Sequence, residues 1–164
     1  MNENKFIIAI VAATLFLLVG IVLLAGKMSS SAKVEANGAA RAEVNSTTYD
    51  WGKIGINDGN AEAEFEIKNS GSEVLKLYNV TTSCACTTAQ IITADQASPL
   101  FGMHTKSDYV AEVSPGKIAR LKVIFDPLFH GPNGLGPITR TITVATNDQN
   151  NQNLTLNLSA DVIK

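Results

Sequence analysis

Cysteine is nearly absent from this sequence, and what there is falls in one tripeptide. The 164 residues include two, Cys84 and Cys86. Residues so close together cannot bridge two facing sheets, which excludes the inter-sheet disulfide of immunoglobulin domains. Histidine is equally scarce, with only His104 and His130. Aromatic residues make up 6% of the chain, and no excess of positive charge exists, since 13 Lys and Arg stand against 15 Asp and Glu. From Thr47 onward nine basic residues face twelve acidic ones. That balance leaves no footprint for a phosphate backbone, so nucleic acid is not an expected partner. The same figures exclude a collagen and a coiled coil. At roughly 100–200 residues per domain, the length allows one globular domain and little else.

What the chain does have is one long apolar run. Residues 6–26 (FIIAIVAATLFLLVGIVLLAG) carry no charge. At about 1.5 Å per residue, such a helix spans roughly 30 Å, one hydrocarbon core. A cleaved signal peptide has a shorter apolar region of about 7–15 residues, so an uncleaved anchor is expected, with a cleaved signal as the alternative. Leu24-Ala25-Gly26 resembles the start of a lipoprotein box, but Lys27 stands where the acylated cysteine would be. A membrane partner through one span follows, with residues 1–5 as a short tail. Orientation signals conflict. Lys5 alone precedes the run while Lys27, Lys33 and Arg41 follow it, which by the positive-inside rule favours a cytoplasmic C-terminal side; long anchored domains, however, translocate largely regardless of charge. Residues 27–46 (KMSSSAKVEANGAARAEVNS) lack an apolar period and read as a flexible linker.

From Thr47 the hydrophobic period becomes two, the mark of half-buried strands. Ala61, Ala63, Phe65 and Ile67 alternate with Glu62, Glu64, Glu66 and Lys68. Ala119, Leu121, Val123 and Phe125 alternate likewise, and Leu154, Leu156, Leu158, Ala160 and Val162 form the clearest set. About seven short strands over residues 47–164 predict an all-β, immunoglobulin-like antiparallel sandwich after one N-terminal transmembrane helix. Two long loops, residues 94–108 and 126–137, are where binding function would sit on such a scaffold.

The chemistry-bearing residues fall in or near those loops. In an extended strand, Cys84 and Cys86 would face one way with Cα atoms about 6.6 Å apart, so a disulfide would need a local kink and would be easily reduced. Two thiolates converging on a soft ion need less distortion. His104 and His130 lie one in each long loop, and Met103 adjoins His104. Thiolate, thioether and imidazole together suit Cu(I), whereas a Cys2His2 set alone suits Zn(II). Cys84, Cys86, His104, His130 and Met103 are therefore the candidate metal ligands. The spacing matches no compact zinc finger, so only the fold could assemble the site. Without it, no cofactor would be needed: the cysteines would be small core hydrophobes, the Met103 loop would pack on the sandwich end, and His130 would hold a turn. No nucleophile elbow, phosphate-cradling loop or carboxylate pair is visible, so no enzyme is expected.

The order of motifs is familiar. Tyr49-Asp50-Trp51-Gly52-Lys53-Ile54, Phe65-Glu66-Ile67-Lys68-Asn69-Ser70-Gly71, Ser83-Cys84-Ala85-Cys86-Thr87, Ser114-Pro115-Gly116-Lys117 and Thr146-Asn147-Asp148 together resemble a bacterial family of unknown function with a Ser-Cys-Gly-Cys-Thr core. Its members are sandwiches akin to major sperm protein and Hydin-like domains, mostly exported or membrane-anchored. The resemblance implies an extracytoplasmic domain on a single-pass anchor and maps the family's cysteines onto Cys84 and Cys86, with Ala85 replacing the usual glycine. It implies no activity. Three functions are thus in view: soft-metal binding, a non-catalytic interaction or structural module with an unknown protein partner, and thiol-redox exchange.

Overall fold

The structure is a computed structural model that describes residues 3–27 and 31–164. The chain divides into two compact units, Met1–Ser31 and Ala32–Lys164. The first contains one helix, α1 (Glu3–Lys27). Its apolar stretch Lys5–Val22 has a mean hydropathy of 2.7 and is long and apolar enough to cross a membrane, a property that anchors and signal sequences share. The helix begins earlier than the apolar run because Glu3, Asn4 and Lys5 continue it.

The second unit is a two-sheet sandwich of nine strands: β1 (Ala42–Val44), β2 (Thr48–Gly55), β3 (Ala61–Asn69), β4 (Leu75–Thr82), β5 (Thr87–Ile92), β6 (Val110–Val113), β7 (Ile118–Phe125), β8 (Gly136–Thr146) and β9 (Asn153–Ile163). One sheet runs β1-β3-β7-β5 and the other β2-β9-β8-β4-β6. All pairings are antiparallel except β2 with β9. The core forms where the alternating faces meet. Phe65, Ile67, Leu121 and Val123 from one sheet pack against Leu75, Leu77, Ile142, Val144, Leu156 and Leu158 from the other, all essentially inaccessible. At about 25 cal/mol per Å² of buried apolar surface, this interdigitated layer is the main source of stability.

Two expectations need correction. The segment expected to be a flexible linker belongs, from Ala32 on, to the folded unit. Asn37 bridges Asp148, Ala40 is fully buried, and β1 pairs with β3. Asp148, itself buried, accepts from the Ala42 amide at 2.9 Å and from Arg41 Nη1 at 3.4 Å. Gly71 permits the close approach, since a Cβ there would collide with the Ala39 carbonyl. Small alanines contribute little apolar signal, so composition suggested a stalk where tertiary contacts make an edge. Of the rest of that stretch, Lys27 ends α1 and residues 28–30 lie outside the described residues. The second correction concerns the cysteines, which sit in a turn and not in a strand.

Candidate thiol site

The site is built on the connection from β4 to β5. Thr82 ends β4 and Thr87 begins β5, so Ser83-Cys84-Ala85-Cys86 must reverse the chain in four residues. The Thr87 amide donates to the Cys84 carbonyl at 3.1 Å, closing a tight turn. The Thr82 hydroxyl lies 2.9 Å from the carbonyl oxygens of both Cys84 and Thr87. Reversal brings the Cα atoms of Cys84 and Cys86 to 5.2 Å, and the two sulfurs are joined as a disulfide. The local kink that such a bond requires is thus supplied by the turn. Ala85 keeps a negative φ, because Asn79 is the only non-glycine residue in the left-handed region among the described residues. A glycine is therefore not demanded between the cysteines.

Neighbouring strands hold this turn in place. The Ser83 amide donates to the Thr141 carbonyl on β8, and the Thr141 amide donates to the Ser83 hydroxyl, both at 2.9 Å. The Asp126 amide, just past β7, donates to the Cys86 carbonyl at 2.9 Å. Cys86 lies buried in a small apolar cluster with Ile56, Phe125 and Val162, while Cys84 is half-buried at its edge. The two sulfurs therefore face different surroundings.

His130 arrives from the β7–β8 loop. The Asp126 carboxylate accepts from the Leu128 amide at 2.9 Å, and Gly131 donates to the Leu128 carbonyl at 2.8 Å, which turns the chain so that His130 precedes a short 3-10 turn, Gly131–Gly134. Gly131 has a φ of 55°, a conformation that a side chain would disfavour. His130 Nε2 then lies 3.4 Å from Cys84 Sγ, and its ring meets that of Phe129 edge-on at 5.0 Å. One ligand atom from each of Cys84, Cys86 and His130 falls within 4.8 Å of the others. His104 is outside this group. Met103 and His104 lie on the β5–β6 loop just past Phe101, which is fully buried and bridges Ala89. Met103 itself is exposed. The β5–β6 loop thus packs onto the sandwich through Phe101.

Sequence reasoning missed Arg140. Its Nε donates to Cys86 Sγ at 3.1 Å, its Nη1 to the Thr139 carbonyl at 2.8 Å, and its guanidinium carbon lies 5.3 Å from the centre of the Phe125 ring. Burial pulls its pKa below the ordinary arginine value, yet an arginine starts so high that it stays a cation. A signal for it was present. Ile138, Arg140, Ile142 and Val144 share one parity on β8, so the period of two places a cation on the apolar face, where it needs a partner. That partner is a sulfur.

Comparisons with known proteins place the domain without giving it an activity. Residues 42–99, from β1 through the cysteine turn to the loop after β5, match a family described as "Protein of unknown function (DUF1573)". No curated protein matches the chain. A protein of unknown function from Porphyromonas gingivalis W83 is similar at 25% identity and a TM-score of 0.56 over 76% of this chain. The match covers 49% of that protein, so this chain spans about half its length. The seventh PapD-like domain of human CEP192 shares the fold at 14% identity and a TM-score of 0.50, over 80% of this chain and 91% of that one. WR4, a C. elegans MSP family member, matches at 11% identity and a TM-score of 0.42, over 73% and 96% of the two chains. The immunoglobulin-like sandwich expected from the sequence is the fold observed.

Proposed function

We propose that the domain binds a soft metal ion, Cu(I) in preference to Zn(II), on the reduced thiolates of Cys84 and Cys86 with the His130 imidazole as third ligand. The observation that carries this reading is the convergence of those three ligand atoms within 4.8 Å from two separate loops. Two sulfurs and one nitrogen suit a soft monovalent ion that is content with two or three ligands, while a structural zinc site needs four. Arg140 adds to the preference: a bis-thiolate Cu(I) centre carries net negative charge, and a cation beside Cys86 offsets it. His104 and Met103, on the β5–β6 loop, are not required for a three-coordinate centre. The disulfide is the closed form, in which neither sulfur is free to ligate.

In this reading α1 anchors the chain in a membrane, the sandwich lies on the extracytoplasmic side, and the domain holds or passes on metal without turning over a substrate. The test is titration of the reduced full chain in detergent, without oxygen, using Cu(I) in competition with a chromophoric chelator. One equivalent should bind, and Cys84→Ser/Cys86→Ser should abolish it. His130→Ala should weaken it by about tenfold or more, the equivalent of losing ~1.4 kcal/mol. Equal binding by the double-serine chain would overturn the metal reading and leave the sandwich as an interaction module with a structural cysteine pair.

A further inference from the structure

The two sulfurs of the turn are not equivalent, and the difference has a direction. Cys86 is 3% exposed, walled by Phe125, Ile56 and Val162. Arg140 Nε points at its sulfur from 3.1 Å and the Thr87 hydroxyl lies 3.5 Å away. Cys84 is half-buried, and its sulfur faces His130 on an exposed loop. A nucleophile coming from solvent therefore meets Cys84 first. A sulfur leaving with the bonding electron pair is best accommodated where a fixed cation already stands, which is at Cys86.

We propose that the Cys84–Cys86 disulfide is opened by the dithiol of a partner, with Cys84 as the sulfur attacked and Cys86 as the leaving sulfur. A partner thiolate bonds to Cys84 Sγ, the Cys84–Cys86 bond breaks, and its electron pair departs on Cys86 Sγ beside the Arg140 guanidinium. The partner's second thiol then attacks its own sulfur in the mixed disulfide, and its proton goes to Cys84 as that sulfur is released. The partner's dithiol has become a disulfide, and this chain has gained two electrons and one proton as a Cys84 thiol and a Cys86 thiolate. The proton of the first partner thiol is left in solvent. A dithiol is required for a reason of proximity. After the first step Cys86 remains two residues from the mixed disulfide, so it recloses the turn and expels a monothiol before a second one can arrive. A second thiol carried on the same reductant competes with that reclosure.

This inference rests on the metal reading only in that both use the dithiol form, and it names what produces that form. Its test contains no metal, so the two can fail separately. The full chain in detergent is oxidised with diamide and then reduced with either dithiothreitol or glutathione, and the products are quenched with N-ethylmaleimide. At equal thiol concentration dithiothreitol should open the pair fully and glutathione only in part. In the glutathione arm, fragmentation mass spectrometry should place the glutathione on Cys84 and the maleimide on Cys86. The same chain unfolded in urea should divide the adduct between both cysteines. Arg140→Met should slow opening by dithiothreitol by about tenfold, as expected for a lost charge-assisted contact to the leaving sulfur, and Arg140→Lys should restore most of the rate. Adduct on Cys86, or an equal division in the folded chain, overturns the assignment. So does failure of diamide to close the pair. Because the adduct position is read on the unsubstituted chain, a variant that fails to fold does not remove the test.

Discussion

Phe125 is the residue through which the core supports the thiol site, and replacing it by leucine has a calculable consequence. Its ring is 2% exposed, stacks on Trp51 at 5.7 Å and lies beneath the Arg140 guanidinium at 5.3 Å. Leucine keeps most of the apolar volume but loses the aromatic pair, worth about 0.5–1.5 kcal/mol. It also loses the cation–π contact, about 0.5–1 kcal/mol for a partly exposed cation. A small residual void adds roughly 1 kcal/mol. Phe125→Leu should therefore destabilise the sandwich by about 2–3.5 kcal/mol. With urea m-values of about 1–3 kcal/mol/M for domains of this kind, that is a midpoint shift of roughly 0.7–3.5 M. The sharper measurement is a double-mutant cycle with Arg140→Met, followed by urea unfolding of all four proteins. The ring and the guanidinium should couple by about 0.5–1 kcal/mol. A coupling within about 0.3 kcal/mol of zero would show that the ring does not hold Arg140, and the account of how the cation is positioned would fall.

Other expectations are independent of that pair. Asp148→Ala strips the acceptor from the Ala42 and Asn150 amides and should cost about 2–4 kcal/mol in urea unfolding; a loss below about 1 kcal/mol would contradict the clamp described for β1. Gly71→Ala should cost about 1–3 kcal/mol by forcing Ala39 away, and protease should then cut the chain near residue 40 faster than in the parent. Tyr109 has a buried hydroxyl without a hydrogen-bond partner among the described residues, so Tyr109→Phe should leave stability unchanged or raise it by about 1 kcal/mol. Burial also raises the Tyr109 pKa above its ordinary value of 10.0. The folded state then resists ionisation more than the unfolded one, so stability is full below pH 10 and falls as the pH rises further. Absorbance titration should show a tyrosine ionisation displaced above pH 10 that Tyr109→Phe removes.

The fold was legible wherever one face of a strand met the core and the other met water. Ala63, Phe65 and Ile67 on β3, Leu121 and Val123 on β7, and Leu154 to Val162 on β9 all point inward as their alternation requires. β2 was hard to place because it lies at a sheet edge, mostly exposed, with a register shift between Asp50 and Lys53. β1 escaped notice because alanine buries too little surface to mark a period. At the site, ligand chemistry singled out Cys84, Cys86, His104, His130 and Met103 together, and it could not separate His130 from the Met103-His104 pair. Only the turn after Asp126, with the left-handed Gly131, brings one imidazole to the sulfurs. Arg140 was legible in principle by parity alone, as a charge between Ile138 and Ile142.

One feature of the second sheet bears on how the molecule is made. β9 lies between β2 and β8, pairing with the former in parallel and the latter in antiparallel. It therefore fills the place that β2 needs, although β2 is synthesised about a hundred residues earlier. Until β9 has emerged, β2 has no neighbour in its sheet, and the apolar cluster around Cys86 lacks Val162. The wall that Val162 of the ninth strand gives Cys86 is therefore the last part of the site to form.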